Sequence, residues 1–393
     1  MKKFLSIFLL LLMIFSCKNS KNRAGQSVSY KYELEVAADK DLKYPLGDDI
    51  EFAFSVLFPY IDKSGKEYLT FRSRINNSIL FYDLPTGKYL FDVKLEKEGP
   101  NGIGRCTGYF IENLDNIYIT SYEKFGLVKV DTTATIKQFI AYGKTNNGYN
   151  VVPSYTSISY HYQPIVFHDN KIYISQKPYQ ASKISETPVT VAIDTIALTI
   201  TEHPFRFPNL LTDDELRVSL IGFDFSRDFN GKQLVYSFDM DENIYVTNIE
   251  TDEIKKIPVQ SKYINRLKFE KYPDEIELIC KMLLETSCYR NLLYDKYRNV
   301  YYRFTQLGVE QRNDTEITPE ILWRSGPAQF SVIILDKDFN IIGETLFPKY
   351  TYNPTIAFVH KNGLYISDSH TLNPSFDENV LSFKCFNLKE SKK

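Results

Sequence analysis

The sequence predicts an all-β chain, a six-bladed β-propeller of four-stranded antiparallel blades closed by an N-terminal strand, with one inserted helix near 273–288. Two recurrences predict it. A polar turn followed by a short tyrosine-bearing strand returns six times: Lys66-Glu67-Tyr68-Leu69-Thr70, Asn116-Ile117-Tyr118-Ile119-Thr120, Lys171-Ile172-Tyr173-Ile174-Ser175, Leu234-Val235-Tyr236-Ser237, Asn299-Val300-Tyr301-Tyr302 and Gly363-Leu364-Tyr365-Ile366-Ser367. These tyrosines stand 50 to 65 residues apart, an interval that fits one four-stranded blade with loops of varying length. In five of the repeats a later strand ends on an apolar residue and an acid before a turn: Tyr82-Asp83, Val130-Asp131, Ile193-Asp194, Ile249-Glu250 and Leu335-Asp336. An aromatic content of 15% agrees with a large β-rich core.

At the start of the chain, Met1-Lys2-Lys3 and the apolar run from Phe4 to Phe15 read as a secretory signal over 1–16, too short to span a bilayer comfortably. Ile14-Phe15-Ser16-Cys17 resembles a bacterial lipobox, which makes Cys17 the expected lipidation site. The alternative is a plain signal peptide with a chance cysteine. Residues 17–28 are small, polar and basic, as a lipidated tether would be, and 29–393 form the single propeller domain. The expected location is the bacterial cell envelope, lipid-anchored to the outer membrane, with periplasmic and surface exposure both open.

The first blade reads as strands over 50–57, 67–71, 78–82 and 89–95, with Pro85-Thr86-Gly87 turning the last pair. Long insertions over 176–190, 304–330 with Trp323, 368–379 and the linker before the fifth repeat all fall on the propeller face that carries the channel mouth. That linker holds an amphipathic helix from Pro273 to Cys288, with proline and acids at its start. On a helix Cys280 and Cys288 would stand about 12 Å apart, beyond the roughly 7 Å a disulfide tolerates. Cys106 and Cys385 have no local partner, so all four are expected as buried free thiols. The last repeat lacks a fourth strand, and the alternating segment 29–36 is expected to supply it by pairing first with last.

Lys and Arg number 47 against 49 Asp and Glu, a balance that argues against a nucleic-acid partner. No cofactor is expected: the chain has no Gly-x-Ser-x-Gly elbow, no phosphate loop and no Gly-x-Gly-x-x-Gly. Asp239, Asp241, Asn243 and Glu250 copy positions of a calcium loop, but Ile244 occupies the place of its glycine, and an ordinary polar turn is the better reading. His161, His168, His203, His360 and His370 form no paired ligand motif, so no metal site is expected. His161 and His370 fall on the loop-rich face, the latter beside Asp368. Arg72, Arg105, Arg290 and Arg303 stand at strand ends where they could ring the channel mouth and hold carboxylates or phosphates, with pairing between blades as the structural alternative. Tyr160, Tyr162 and Tyr352 could add a stacking surface there.

The lipobox ending in Cys17, the stretch from Cys288 through Arg290, Tyr301 and Arg303 to Phe304, and the phrase from Ile356 through His360 to Ile366 together resemble a family of Bacteroidota lipoproteins with a six-bladed propeller and no assigned function. The resemblance implies an envelope-anchored propeller and transfers no catalytic residue. Two functions fit the residues. One is a non-enzymatic binding or scaffold protein taking a peptide, glycan or envelope protein at the loop-rich face, which the absence of catalytic motifs favours. The other is a propeller hydrolase or lyase whose site is assembled from several blades.

Overall fold

The structure, a computed structural model, describes residues 28–47, 56–121, 123–151, 163–176, 181–210, 224–251, 253–268, 273–310 and 317–391. Strands β1 (Val28–Val36) and β2 (Leu42–Pro45) precede four antiparallel sheets, each with its four strands side by side in chain order. The first comprises β3 (Leu57–Ile61), β4 (Glu67–Ser73), β5 (Ser78–Asp83) and β6 (Tyr89–Lys94), and the second β7 (Cys106–Asn113), β8 (Asn116–Ser121), β9 (Gly126–Val130) and β10 (Ile136–Ala141). The third comprises β11 (Val166–His168), β12 (Lys171–Ser175), β13 (Thr190–Asp194) and β14 (Ile200–Glu202), and the fourth β15 (Phe225–Phe229), β16 (Gln233–Phe238), β17 (Asn243–Asn248) and β18 (Ile254–Pro258). The remaining strands are β19 (Cys288–Asp295), β20 (Val300–Leu307), β21 (Gln329–Leu335), β22 (Ile341–Leu346), β23 (Asn353–His360), β24 (Gly363–Ser367) and β25 (Val380–Glu390).

These last strands join β1 and β2 in one nine-stranded sheet, in the order β19-β20-β21-β22-β1-β25-β24-β23, with β2 on the other half of β25. Its end strands β19 and β23 lie against each other, so the sheet is nearly closed like a barrel. The fold is therefore propeller-like and all-β, but the expectation of six separate blades is wrong: four blades stand beside one nearly closed sheet. The cause is β1. It pairs antiparallel with β25, as a closing strand should, Tyr32 facing Glu390 and Val36 facing Phe386. Its other edge pairs in parallel with β22, Val28 facing Ile341, and this sews the last two repeats together. Gly343 permits the approach, since a Cβ there would stand 2.1 Å from the Tyr32 carbonyl oxygen. Alternation in a sequence marks which face of a strand is buried and says nothing of how many edges it will satisfy.

All six tyrosine phrases fall on the second strand of their repeat, and all six tyrosines are buried. The recurring acid has a local cause. The carboxylates of Asp131, Asp194 and Asp336 accept the N–H groups of Thr133, Ile196 and Asp338 at 2.9 Å each, which fastens the turn between third and fourth strands. In the fourth sheet Asn248, not Glu250, does this, accepting from the Glu250 N–H at 2.8 Å. The expected first strand over 50–57 lies mostly outside the described residues, and the strand paired with β4 begins where it was expected to end.

Helix α1 (Ile276–Glu285) is shorter than predicted, because Thr286 is extended and Cys288 already opens β19. A second helix, α2 (Pro319–Ser325), was not predicted; Thr318 caps it by accepting the Ile321 N–H, with proline in its first turn. The two helices pack against each other. Cys106, Cys280, Cys288 and Cys385 are free and buried.

Arginines pin neighbouring sheets together. Arg227 of β15 is fully buried and donates to the third sheet, to the Thr190 hydroxyl at 3.0 Å and the Tyr173 carbonyl at 3.2 Å. Arg303 of β20 is fully buried and donates to the Asp241, Glu242 and Val259 carbonyls of the fourth sheet at 2.5, 3.1 and 2.5 Å. Arg72 reaches the Cys106 carbonyl of the second sheet at 2.8 Å. The short hairpin turns share one face and are also linked: Asn230 donates to the Tyr301 hydroxyl at 2.7 Å, Arg298 to the Lys361 carbonyl at 3.1 Å, and Lys361 to Glu67 at 2.6 Å. Helices α1 and α2 lie on the opposite face, at the other ends of β19 and β20.

Candidate functional site

Two inner strands bend at the same place. The β19–β20 ladder slips between Tyr289 and Leu292, and the β23–β24 ladder between Asn353 and Ala357, so each strand bulges at this end. A bulge re-aims side chains and frequently borders a site. The bulges are tied together by the Asn291 amide, which donates to the Pro354 carbonyl at 2.9 Å. They open onto a cavity of about 210 Å³ lined by Asp224, Phe225 and Ser226 before and within β15, Asp239 after β16, Arg290 and Asn291 of β19, Gln306 of β20 and Thr355 of β23. Trp323, Gly326 and Pro327, from α2 and its exit, also line it.

Arg290 is the centre of this site. Its guanidinium meets the Asp239 carboxylate at 2.9 Å and the Gln306 carbonyl oxygen at 2.9 and 3.1 Å, and it lies 5.3 Å from the centre of the Trp323 ring. The Gln306 amide in turn donates to the Leu283 and Thr286 carbonyls at 2.5 and 2.8 Å, satisfying main-chain oxygens that the end of α1 leaves open. One arginine therefore couples both helices to the bulged strands, and its planar fork is held before any ligand arrives. Gly326 leaves α2 at φ 93°, and a Cβ there would lie 2.6 Å from the Asn353 side-chain oxygen, so only glycine lets the roof descend this far. Beside the site, burial pushes the Cys288 thiol up to about 12, the charge of Arg290 opposing.

Among the described residues nominated from sequence, Arg290 lines the cavity and the others are spread elsewhere. Arg303 is enclosed against the fourth sheet, and desolvation lowers it to about 10. Arg72 serves the first sheet seam, and Arg105, with 65% of its side chain exposed, pairs with Glu123 at 2.7 Å. His370 is buried; its Nδ1 accepts the Leu372 N–H at 3.1 Å, and burial depresses it to about 4. Its neighbour Thr371 shares a 2.7 Å hydrogen bond with Ser325, which places this loop under the end of α2. Asp368 accepts from the Ser382 hydroxyl, and Tyr352 packs edge-on against Phe347 and Phe386. Cys17, Tyr160, His161 and Tyr162 lie outside the described residues.

Two carboxylates of the calcium-like loop, those of Asp239 and Asp241, are engaged within the protein. Asp241 accepts the Asn243 N–H at 2.9 Å and the Tyr245 hydroxyl at 2.6 Å, and Asp239 faces Arg290. Among the described residues no three His, Cys, Asp or Glu side chains converge as metal ligands would, and no helix is long and apolar enough to cross a membrane. Sequence reasoning missed Asp224, Ser226, Asn291, Gln306 and Thr355. The only signals were indirect: Asp239 within the calcium-like loop, and Trp323 as the single tryptophan in an insertion.

No curated protein matches this sequence. The chain is similar in fold to the Bacteroides fragilis NCTC 9343 protein BF0058, named as a candidate exported protein, with 11% identity, a TM-score of 0.53 and coverage of 92% of this chain and 96% of that one. It is more similar to the crystal structure of a DUF4221 family member from Bacteroides vulgatus, with 27% identity, a TM-score of 0.79 and coverage of 92% of this chain and all of the other. The model of that family, described as a domain of unknown function, matches residues 31–346, and the chain belongs to the DUF4221 family.

Proposed function

We propose that this chain is a bacterial envelope lipoprotein, anchored to the outer membrane through Cys17, that acts by binding a small polar ligand in the cavity beneath α2. The observation that carries the reading is the fixed guanidinium of Arg290, set among amide, hydroxyl and carboxylate groups at the junction of two bulged strands and two helices. Convergent polar groups with aromatic side chains in a preformed concavity are the usual make-up of a binding site. A cavity of about 210 Å³ suits one sugar or one amino-acid residue, free or at the end of a glycan or peptide.

Trp323 is the single tryptophan of the chain and lies on the cavity wall, so its fluorescence reports occupancy directly. Titration with monosaccharides and amino acids should change its emission saturably, and Arg290→Ala should weaken binding at least tenfold, the loss of roughly 1.4 kcal/mol. Saturable binding unaffected by Arg290→Ala and Asn291→Ala, or no response to any member of either class, would sink the cavity reading. Retention of Cys17→Ala in washed outer membranes would sink the anchor.

A further inference from the structure

The hairpin turn between β13 and β14 breaks a rule that its counterparts keep. The residue shortly before the fourth strand is left-handed in several sheets: Gly87 at φ 70°, Ala134 at 60°, Leu198 at 56° and Phe339 at 65°. Glycine occupies that region freely, whereas other residues are strained there. Phe339 is compensated by burial with Leu335 and Ile341, and Ala134 packs on a core cluster. Leu198 is 54% exposed, and Ile196 at 75% is the most exposed large apolar side chain among the described residues. Neither side chain builds the turn, which is made by Asp194 accepting the Ile196 and Ala197 N–H groups at 2.9 and 2.8 Å. Ile254, 42% exposed, stands at the start of β18, at the corresponding turn of the next sheet.

A second observation says what covers this tip. Strand β1 begins on the same face, because Val28 pairs with Ile341 directly after the turn that Asp336 fastens. From Cys17 to Val28 the chain can reach no further than about 40 Å. We infer that the tight-turn face rests on the lipid bilayer that carries the anchor, with Ile196 and Leu198 dipping into the boundary between headgroups and acyl chains. The inference rests on the proposed acylation of Cys17. It sets the cavity beneath α2 on the far side, open to solutes and turned away from the membrane.

The test uses the full acylated chain, carrying Ile196→Cys or, on α2 of the opposite face, Ile321→Cys. The four native thiols of the folded body are buried, so a polarity-sensitive thiol dye reads the introduced site. After reconstitution into phosphatidylethanolamine and phosphatidylglycerol vesicles, the dye at 196 should shift to the blue. Nitroxide lipids should quench it roughly threefold or more beyond the dye at 321. Equal quenching at both positions in protein whose intact mass shows acylated Cys17 would overturn the docking and leave the anchor standing. A mass without lipid on Cys17 would overturn the anchor reading, and the docking with it.

Discussion

The guanidinium of Arg303 lies 3.5 Å from the centre of the Tyr289 ring, stacked on a side chain of the adjacent strand while its nitrogens serve main-chain oxygens of the neighbouring sheet. A charge so placed is tolerated because every donor direction is answered, and stacking on a desolvated ring adds about 2 kcal/mol. Removing it leaves several buried carbonyls without partners. Arg303→Met should destabilise the protein by about 3–5 kcal/mol, and Arg303→Lys by less, since a single ammonium answers fewer of them. Urea unfolding measures both, and a loss below about 1 kcal/mol for Arg303→Met would show that the seam holds without its pin.

His370 predicts a pH dependence. Its folded-state value is depressed from 6.5 to about 4 by burial, so the unfolded chain takes up the proton first as pH falls. The stabilisation is complete above about pH 6.5 and is lost between there and about pH 4, amounting to roughly 3 kcal/mol. Asp228, raised by burial to about 6, works in the opposite direction over part of that window. The informative quantity is therefore the difference between wild type and His370→Asn. Thermal melts from pH 7.5 to pH 4 should show wild type losing stability relative to the variant, and a flat difference would refute the assignment.

Gly343 is expected to be intolerant of a methyl group. With a Cβ at 2.1 Å from the Tyr32 carbonyl oxygen, Gly343→Ala must push β1 off β22 while leaving its pairing to β25 possible. Limited proteolysis should then cut within 28–36 many times faster than in wild type, with a loss of about 2–4 kcal/mol overall. Unchanged proteolysis would mean that the parallel pairing is dispensable.

The four cysteines of the folded body should be silent. Burial pushes the Cys106 thiol up to about 11 and that of Cys288 to about 12, and raises Cys280 and Cys385 as well. Since the thiolate is the reactive form, an aromatic disulfide reagent at pH 8 should count none of these in the native protein and all four after denaturation.

The parts of this architecture that repeat were legible. Tyr68, Tyr118, Tyr173, Tyr236, Tyr301 and Tyr365 mark second strands because each is a buried residue on a short strand that follows a tight turn, a purely local pattern. Asp131, Asp194 and Asp336 were legible for the same reason, as turn fasteners. What depends on a second edge was not: the alternation of β1 is equally consistent with one partner or two, and the glycine that admits the second lies more than 300 residues away. The arginines were legible in part. Pairing between blades, the alternative given for Arg72 and Arg303, is what both do, but their partners are main-chain carbonyls rather than carboxylates, and Arg227, which does the same, carried no signal in the sequence. Arg290 stands within the bulge of β19, and a bulge appears only when the ladder is seen.

The position of β1 between β22 and β25 also dictates an order of assembly. Among the described strands β1 is the earliest in the chain and its partners β22 and β25 are among the latest, so the largest sheet cannot be completed until those distant strands are present, and its closure spans more than 300 residues. Closing so long a loop delays the reward for every contact in that sheet, and such topologies fold slowly. The four blades between need only local contacts, each being a meander of consecutive strands. The chain is thus built as a necklace whose clasp is the final event, and until that event its leading end stays available to whatever machinery must handle it.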